Sequence, residues 1–316
     1  MKIHQTPDGL TEGLPDYPFE SKFVSVPVDP ETNPGESLRL HYIEAGPADG
    51  RPVVFLHGNP SWSYLWRHSV QATAALGYRA IALDLVGMGL SDKPSEIDDY
   101  SVARHVAWVR SALVDGLDLH DMILVLHDWG GILGLRVLAL HPDRVSGVSI
   151  SNTGLPERDP KEPMPEGPIE ATGPFAAFQK SAREAAVWEP WNLLPMVMAT
   201  SISDAIRAAY HAPYGESHPA IGSQAFPGLL PTRPDNPMLP DNWEAWKVLE
   251  CFEGPFVTIF SDKDIIAPDG WKPLVARVPG AKDQPHVILT GGGHFLQEDI
   301  PDAYNEALTN WLRDRF

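Results

Sequence analysis

Four short segments of this 316-residue chain carry side chains able to make and break covalent bonds. In the first, the apolar run Leu124-Val125-Leu126 leads into His127-Asp128-Trp129-Gly130-Gly131 and then into a helix-like pattern. A strand that turns sharply into a helix, with glycines just after the turn, lifts one side chain clear of the backbone as a nucleophile. Serine usually holds that place in G-x-S-x-G. Here it is Asp128, with Leu126 where the first glycine would stand. A carboxylate nucleophile attacks carbon by displacement and leaves an ester for water to cleave. Asp128 could equally cap the helix that follows.

The second segment is His57-Gly58-Asn59-Pro60, at the end of another apolar run. Gly58 allows close backbone approach and Pro60 fixes the turn. The backbone N–H of Asn59, paired with that of Trp129, would form an oxyanion hole. The third is Gly291-Gly292-Gly293-His294, a histidine on a glycine-rich loop and suited to general-base work. The fourth, Ser261-Asp262-Lys263-Asp264, offers an acid to orient that histidine. Asp262 and Asp264 are both candidates, and Asp264, further into the loop and four residues before Pro268, is favoured. Ser151-Asn152-Thr153, after an earlier strand, offers no carboxylate. The chain order nucleophile, acid, histidine is that of α/β-hydrolases.

A scaffold must bring these segments to one edge. Residues 38–153 alternate short β-branched runs, at 53–56, 80–83, 122–126 and 145–150, with helix-like stretches at 62–76, 102–117 and 131–141. Such alternation implies βαβ units and a mostly parallel sheet, with sites at the carboxyl ends of its strands. From 154 to 240 prolines recur, and the apolar spacing between them suits short helices at 175–187 and 203–210. Residues 159–168 read as an exposed loop, and Asp92-Lys93-Pro94 as a turn. Strand character returns at 256–260 and 286–289, and 302–316 reads as an amphipathic helix. The predicted fold class is therefore α/β. An α/β-hydrolase core of residues 1–153 and 241–316, a mostly parallel sheet flanked by helices, is interrupted by a helical, Pro-rich cap at 154–240.

Composition narrows the partners. Lys and Arg total 24 against 42 Asp and Glu, a formal charge of −18. That field repels nucleic-acid backbones and anionic membrane surfaces. The 43 % hydrophobic content excludes a disordered chain, and no apolar run approaches the ~20 residues of a spanning helix. A single cysteine, Cys251, and an N-terminus without the apolar stretch of a secretory signal lead to the expectation of a cytoplasmic protein. The histidines show no metal-ligand spacing and no G-x-G-x-x-G follows Asp84, so neither metal nor cofactor is expected.

Taken together, several motifs resemble those of haloalkane dehalogenases. They are His127-Asp128-Trp129-Gly130-Gly131, the HGNPSWSYLWR run from His57 to Arg67, the DLVGMGLSDKP run from Asp84 to Pro94, Phe260-Ser261-Asp262-Lys263-Asp264, and the GHFLQED run from Gly293 to Asp299. The cap segments Tyr210-His211-Ala212-Pro213-Tyr214 and Ala225-Phe226-Pro227 are also similar. The resemblance covers nearly the whole chain. It implies the same core and cap, no cofactor, and a reaction giving alcohol, halide and a proton. Asp128 would form an alkyl ester, and His294, oriented by the acid, would activate the water that cleaves it. Two side-chain N–H groups would hold the halide. One is Trp129. The other varies by subfamily between a cap Trp and the Asn of HGNP, here Asn59. Phe178 stands where the cap Trp is expected, although Trp188 or Trp191 could supply that donor. Phe175, Phe178, Val187, Phe226 and Leu229 are candidate pocket residues. The implied partners are a small halogenated hydrocarbon, water and halide, with the protein a monomer or weak homo-oligomer.

Two other readings use the same residues. An epoxide hydrolase shares the Asp–His–Asp machinery but needs two cap tyrosines, for which Tyr210 and Tyr214 are the candidates. It usually carries an aromatic residue where Asn59 stands. A catalytically silent binding protein on this fold would not need four intact segments. A Ser esterase is disfavoured because no serine lies at an elbow.

Overall fold

Eight strands pair into one sheet in the computed structural model, which describes residues 1–7, 9–29, 33–167, 169 and 171–316. They are β1 (Lys22–Asp29), β2 (Asn33–Ala45), β3 (Pro52–Leu56), β4 (Arg79–Leu83), β5 (Met122–His127), β6 (Val145–Ser151), β7 (Phe256–Ser261) and β8 (Val287–Leu289). Their spatial order is β8-β7-β6-β5-β3-β4-β2-β1. All pairs from β8 to β4 are parallel, and β2 runs antiparallel to both β4 and β1.

The six predicted strands are all present, within one residue at each end. Every residue of β5 and β7 is buried, which is why they read as unbroken apolar runs. Alternate residues serve opposite faces. Val54, Leu56, Leu124 and Leu126 pack into one core with Trp108, Leu133, Leu138 and Trp246. Val53, Phe55, Ile123 and Val125 pack into a second core with Trp66, Val70, Tyr304 and Trp311. Burying each such aliphatic side chain contributes roughly 1.5–3 kcal/mol, so the two cores hold the sheet rigid beneath the site.

Before the cap the helices are α1 (Arg67–Ala74), α2 (Val102–Arg110) and α3 (Trp129–Leu140). The single helix expected at 62–76 is a 3₁₀ turn, Ser63–Trp66, followed by α1. That expected at 102–117 is α2 continued by a π-helical turn, Ser111–Gly116. Ser101 starts α2 by accepting the Arg104 N–H on its hydroxyl.

The segment 154–240 holds α4 (Gly173–Glu184), α5 (Leu194–Val197), α6 (Asp204–His211) and α7 (Ile221–Leu229). The expected boundary at 240/241 falls inside α8 (Met238–Leu249), whose Trp246 indole N–H donates to the Leu155 carbonyl at 2.9 Å. Residues 160–167 are exposed, and Pro168, the expected end of that loop, lies outside the described residues. The chain closes with α9 (Trp271–Arg277), α10 (Leu296–Asp299) and α11 (Pro301–Arg315). Lys93–Pro94, expected as part of a turn, instead pairs antiparallel with Ile3–His4, because the N-terminal segment lies beside it. Among the described residues no helix is long and apolar enough to cross a membrane.

Candidate active site

The four segments meet at the carboxyl edge of the sheet. Asp128 follows β5 directly and has φ +50°, ψ −123°, a region costly for any side chain but glycine. The elbow is over-determined by its surroundings. The Thr153 hydroxyl donates to the Asp128 carbonyl at 2.7 Å. A Cβ at Gly130 would overlap the Leu56 carbonyl, so only glycine lets the elbow sit this close to β3. Asp128 makes no side-chain capping bond to α3, so the capping alternative finds no support in the geometry.

The loop after β3 reaches the same carboxylate. The Asn59 backbone N–H donates to Asp128 Oδ1 at 2.7 Å, and the Trp129 backbone N–H also supports that carboxylate. A Cβ at Gly58 would collide with Asp128 itself. His57 braces the loop: its Nδ1–H donates to the Gly58 carbonyl at 2.8 Å and its Nε2 accepts the Leu85 N–H at 3.0 Å. Asp84, just past β4, accepts the Ser63 N–H at 2.6 Å and the Leu90 N–H at 2.8 Å, which ties the DLVGMGL turn to the start of that 3₁₀ helix.

His294 lies 3.3 Å through Nε2 from Asp128 Oδ2 and 3.0 Å through Nδ1 from Asp264 Oδ1. Asp264 is buried and aligned by the Ile266 and Ala267 N–H groups at 2.9 and 3.1 Å. Asp262 is exposed and accepts the Gly291 N–H at 2.8 Å, so it shapes the loop without touching His294. Asn152, where an alternative acid could have stood, donates to the Gly293 and His294 carbonyls at 3.0 and 2.9 Å. The His127 ring adds a bond from Nε2 to the His294 carbonyl at 2.8 Å.

The cap closes on this loop. The His294 N–H donates to the Val197 carbonyl at 2.8 Å. Asp299 accepts the Gly293 and Ala199 N–H groups on one oxygen, at 2.8 and 2.9 Å, and the Thr200 N–H on the other, at 2.8 Å. Arg67 and Glu298 form a buried two-pronged ion pair at 2.7 Å, to which the Tyr210 hydroxyl donates at 2.9 Å.

Burial alone would raise the Asp128 and Asp264 carboxyls, but the His294 imidazolium between them holds both below the usual carboxylate range. Burial would likewise lower His294, and the same two carboxylates override it and raise the ring to about 9. A pKa raised by folding adds stability that is full below the ordinary value of 6.5 and is lost as pH climbs through the folded value. The Tm difference between wild-type and His294→Gln is therefore expected to shrink between about pH 6.5 and pH 9.5 in thermal melts. A gap that widens over that window would put the proton elsewhere.

A cavity of about 470 Å³ opens over Asp128, lined by Asn59, Trp129, Phe175, Phe178, Leu230 and Ile266 among other side chains. An apolar chamber above a carboxylate, an imidazole and two backbone N–H groups suits covalent attack on a neutral, hydrophobic substrate.

Comparison with known proteins shows the family. The family described as alpha/beta hydrolase fold matches residues 51–301. A haloalkane dehalogenase of Psychrobacter cryohalolentis is 38 % identical over 99 % of both chains, and one of Mycolicibacterium paratuberculosis is 39 % identical over 98 % of both. The chain belongs to the haloalkane dehalogenases. Among solved structures, the tetrameric haloalkane dehalogenase DpaA from Paraglaciecola agarilytica superimposes with a TM-score of 0.83 at 26 % identity, over 99 % of this chain and 98 % of that one. Haloalkane dehalogenase DatA from Agrobacterium tumefaciens gives 0.74 at 26 % identity, over 98 % of this chain and all of that one.

In this dehalogenase the pocket differs in part from the sequence expectation. Phe175 and Phe178 line the cavity, as expected. Val187, Phe226 and Leu229 do not. Val187 is 78 % exposed beyond the end of α4. Phe226 is fully buried between the Trp129 and His105 rings, and Leu229 packs against the core beneath the cap. Pro227 and Leu230, each one residue along from those two, face the cavity instead. Helical phase decides this, and sequence spacing within a proline-containing helix such as α7 does not fix it. Leu193, Met196 and Ile265 also line the cavity and were not anticipated.

The cap tyrosines lie outside the lining. Tyr210 is spent on Glu298, and Tyr214 is buried beside Trp191. A protonating pair for an epoxide is thus not in place. The cap tryptophans also stay out of the cavity: Trp191 packs on His211, and the Trp188 indole N–H donates to Ser223 Oγ at 3.2 Å.

Proposed function

We propose that Asp128 is the nucleophile, His294 the base, Asp264 its orienting acid, and Trp129 with Asn59 the halide donors of a hydrolase that cleaves carbon–halogen bonds. The carrying observation is the pairing of Asp128 with two kinds of donor. Oδ1 already sits at the Asn59 backbone N–H, while among the described residues neither the Trp129 indole N–H nor the Asn59 side-chain N–H is spent on the protein. Neutral N–H groups stabilise charge building on a departing halide without a counter-charge that would trap it.

Oδ2, which faces His294 Nε2 at 3.3 Å, attacks carbon; the C–O bond forms and the halide leaves with the bonding pair. The aspartate charge vanishes, and His294 loses one of the two carboxylates that keep it protonated. It releases its proton to solvent, the net proton of the reaction, and then takes one from the attacking water and returns it to Oδ2 as the alcohol leaves. Water adds to the ester carbon, the oxyanion forms on Oδ1 at the Asn59 and Trp129 backbone N–H groups, and the alcohol departs with Oδ2. In ¹⁸O-water, a single turnover of 1-bromobutane is expected to give unlabelled butanol and labelled Asp128, read by mass spectrometry. Labelled butanol in that turnover would mean direct attack by water.

The haloalkane preferred is read from a panel of chain lengths against the 470 Å³ cavity. The core is assigned to residues 1–153 and to the chain from the start of α8 onward, since the expected boundary at 240/241 would divide that helix, with α4 to α7 as cap. A cytoplasmic location is the reading that the single cysteine supports. The tetrameric relative fits a strict monomer poorly, and of the two states expected from the sequence the homo-oligomer is the one to test, by sedimentation velocity.

A further inference from the structure

The second halide donor is an amide, and an amide has two faces. If Asn59 presented its oxygen to the cavity it would repel a halide; if it presents its nitrogen it binds one. Something must set the flip. Ser223, fully buried on α7, donates its hydroxyl to Asn59 Oδ1 at 2.7 Å. The Trp188 indole N–H, a donor only, occupies a lone pair of the same hydroxyl at 3.2 Å. With that lone pair taken, the hydroxyl proton has the Asn59 oxygen within reach, and the Asn59 N–H₂ is left for the cavity.

We infer that Trp188 and Ser223 form a cap-borne relay that sets the Asn59 amide for halide binding. Neither touches the halide; both are positioning residues. The relay explains how a cap carrying Phe178 where a donor tryptophan is expected still contributes to the halide site: its tryptophan N–H acts one hydroxyl away. It also makes the donor conditional on the cap, because Asn59 lies on the core loop after β3 while Ser223 and Trp188 lie on the cap. The inference rests on Asn59 being a halide donor.

The test is a double-mutant cycle on bromide affinity, measured by quenching of tryptophan fluorescence with sodium bromide, alongside kcat and KM for 1-bromobutane. Asn59→Ala alone checks the donor: no change in bromide affinity would remove both the donor and the relay. With the donor verified, Ser223→Ala is expected to weaken bromide about tenfold, the effect of one lost charge-assisted hydrogen bond. Trp188→Phe keeps the ring and removes the N–H, and about threefold weakening is expected. Both effects should vanish in the Asn59→Ala background, since no amide remains to orient. In the same variants kcat/KM should fall with bromide affinity. Losses that persist undiminished without Asn59 would mark a general loosening of the cap and overturn the relay, as would wild-type affinity in either single variant. If Ser223→Ala does not fold, Trp188→Phe with and without Asn59→Ala carries the same decision.

Discussion

His294→Gln, incubated with 1-bromobutane, is expected to release one bromide per protein and then stop, with one butyl group retained on Asp128. Intact mass and a peptide map read the adduct. The expectation follows from the two halves of the chemistry needing different things. Displacement needs an ionised Asp128 and donors for the halide, and no proton moves in it. The Asn59 N–H bond to Asp128, 2.7 Å in the wild type, does not involve His294 and is expected to persist in the variant. Ester hydrolysis needs a base near water, and glutamine is none. Turnover is expected to drop by up to about 10⁴-fold while the first bromide still leaves. A parallel incubation with styrene oxide separates the related chemistry: an adduct from the epoxide alone would contradict halide displacement. No adduct from either, in a folded protein, would place the nucleophile elsewhere.

Asp264→Asn is the second large effect. Asp264 accepts from His294 Nδ1, so Nε2 is bare whenever the ring is neutral and can take a proton from water. An asparagine can turn its N–H₂ to Nδ1 and select the opposite tautomer, with the proton already on Nε2. Geometry survives and basicity at the working nitrogen does not, a change that costs about 10⁴-fold in the analogous serine triad. A burst of one bromide per protein should again precede the slow phase. Asp262→Asn is the internal control. It is exposed and, among the described residues, accepts the Gly291 N–H alone, so turnover should stay within about twofold. A large loss in Asp262→Asn with little in Asp264→Asn would reverse the acid assignment.

Much of the candidate site could be read from the chain because its parts are local. Asn59, Asp128 and Asp264 each sit within three residues of the end of a buried strand, and central parallel strands announce themselves as continuous apolar runs; His294 follows the half-exposed edge strand β8 and is marked instead by its glycine-rich loop. The edge pair β1 and β2 lay hidden by contrast. Val24, Val26 and Val28 alternate with exposed residues, and Pro27 interrupts the pattern, so the signal there is a two-residue period rather than a run. In the cap the sequence located helices but not their rotation, which is how Phe226 and Leu229 came to be expected where Pro227 and Leu230 stand. The Trp188–Ser223–Asn59 contacts had no local signature at all: Ser223 and Asn59 are 164 residues apart, and a lone buried serine has no pattern to betray it.

The bonds between the cap and the histidine loop bear on how such a protein can be recombined. Val197, Ala199 and Thr200 belong to the cap by position, yet their backbone groups, which any residue type would supply, are fastened to the His294 N–H and to the Asp299 carboxylate that also holds Gly293. A chimera built by exchanging caps at the ends of the insertion would import a foreign backbone path beneath the base and shift it. Splicing downstream of Thr200 keeps that stretch with its own loop and exchanges mainly α6 and α7. Within this architecture the interchangeable module is thus smaller than the insertion, and the seam for shuffling runs through the middle of the cap.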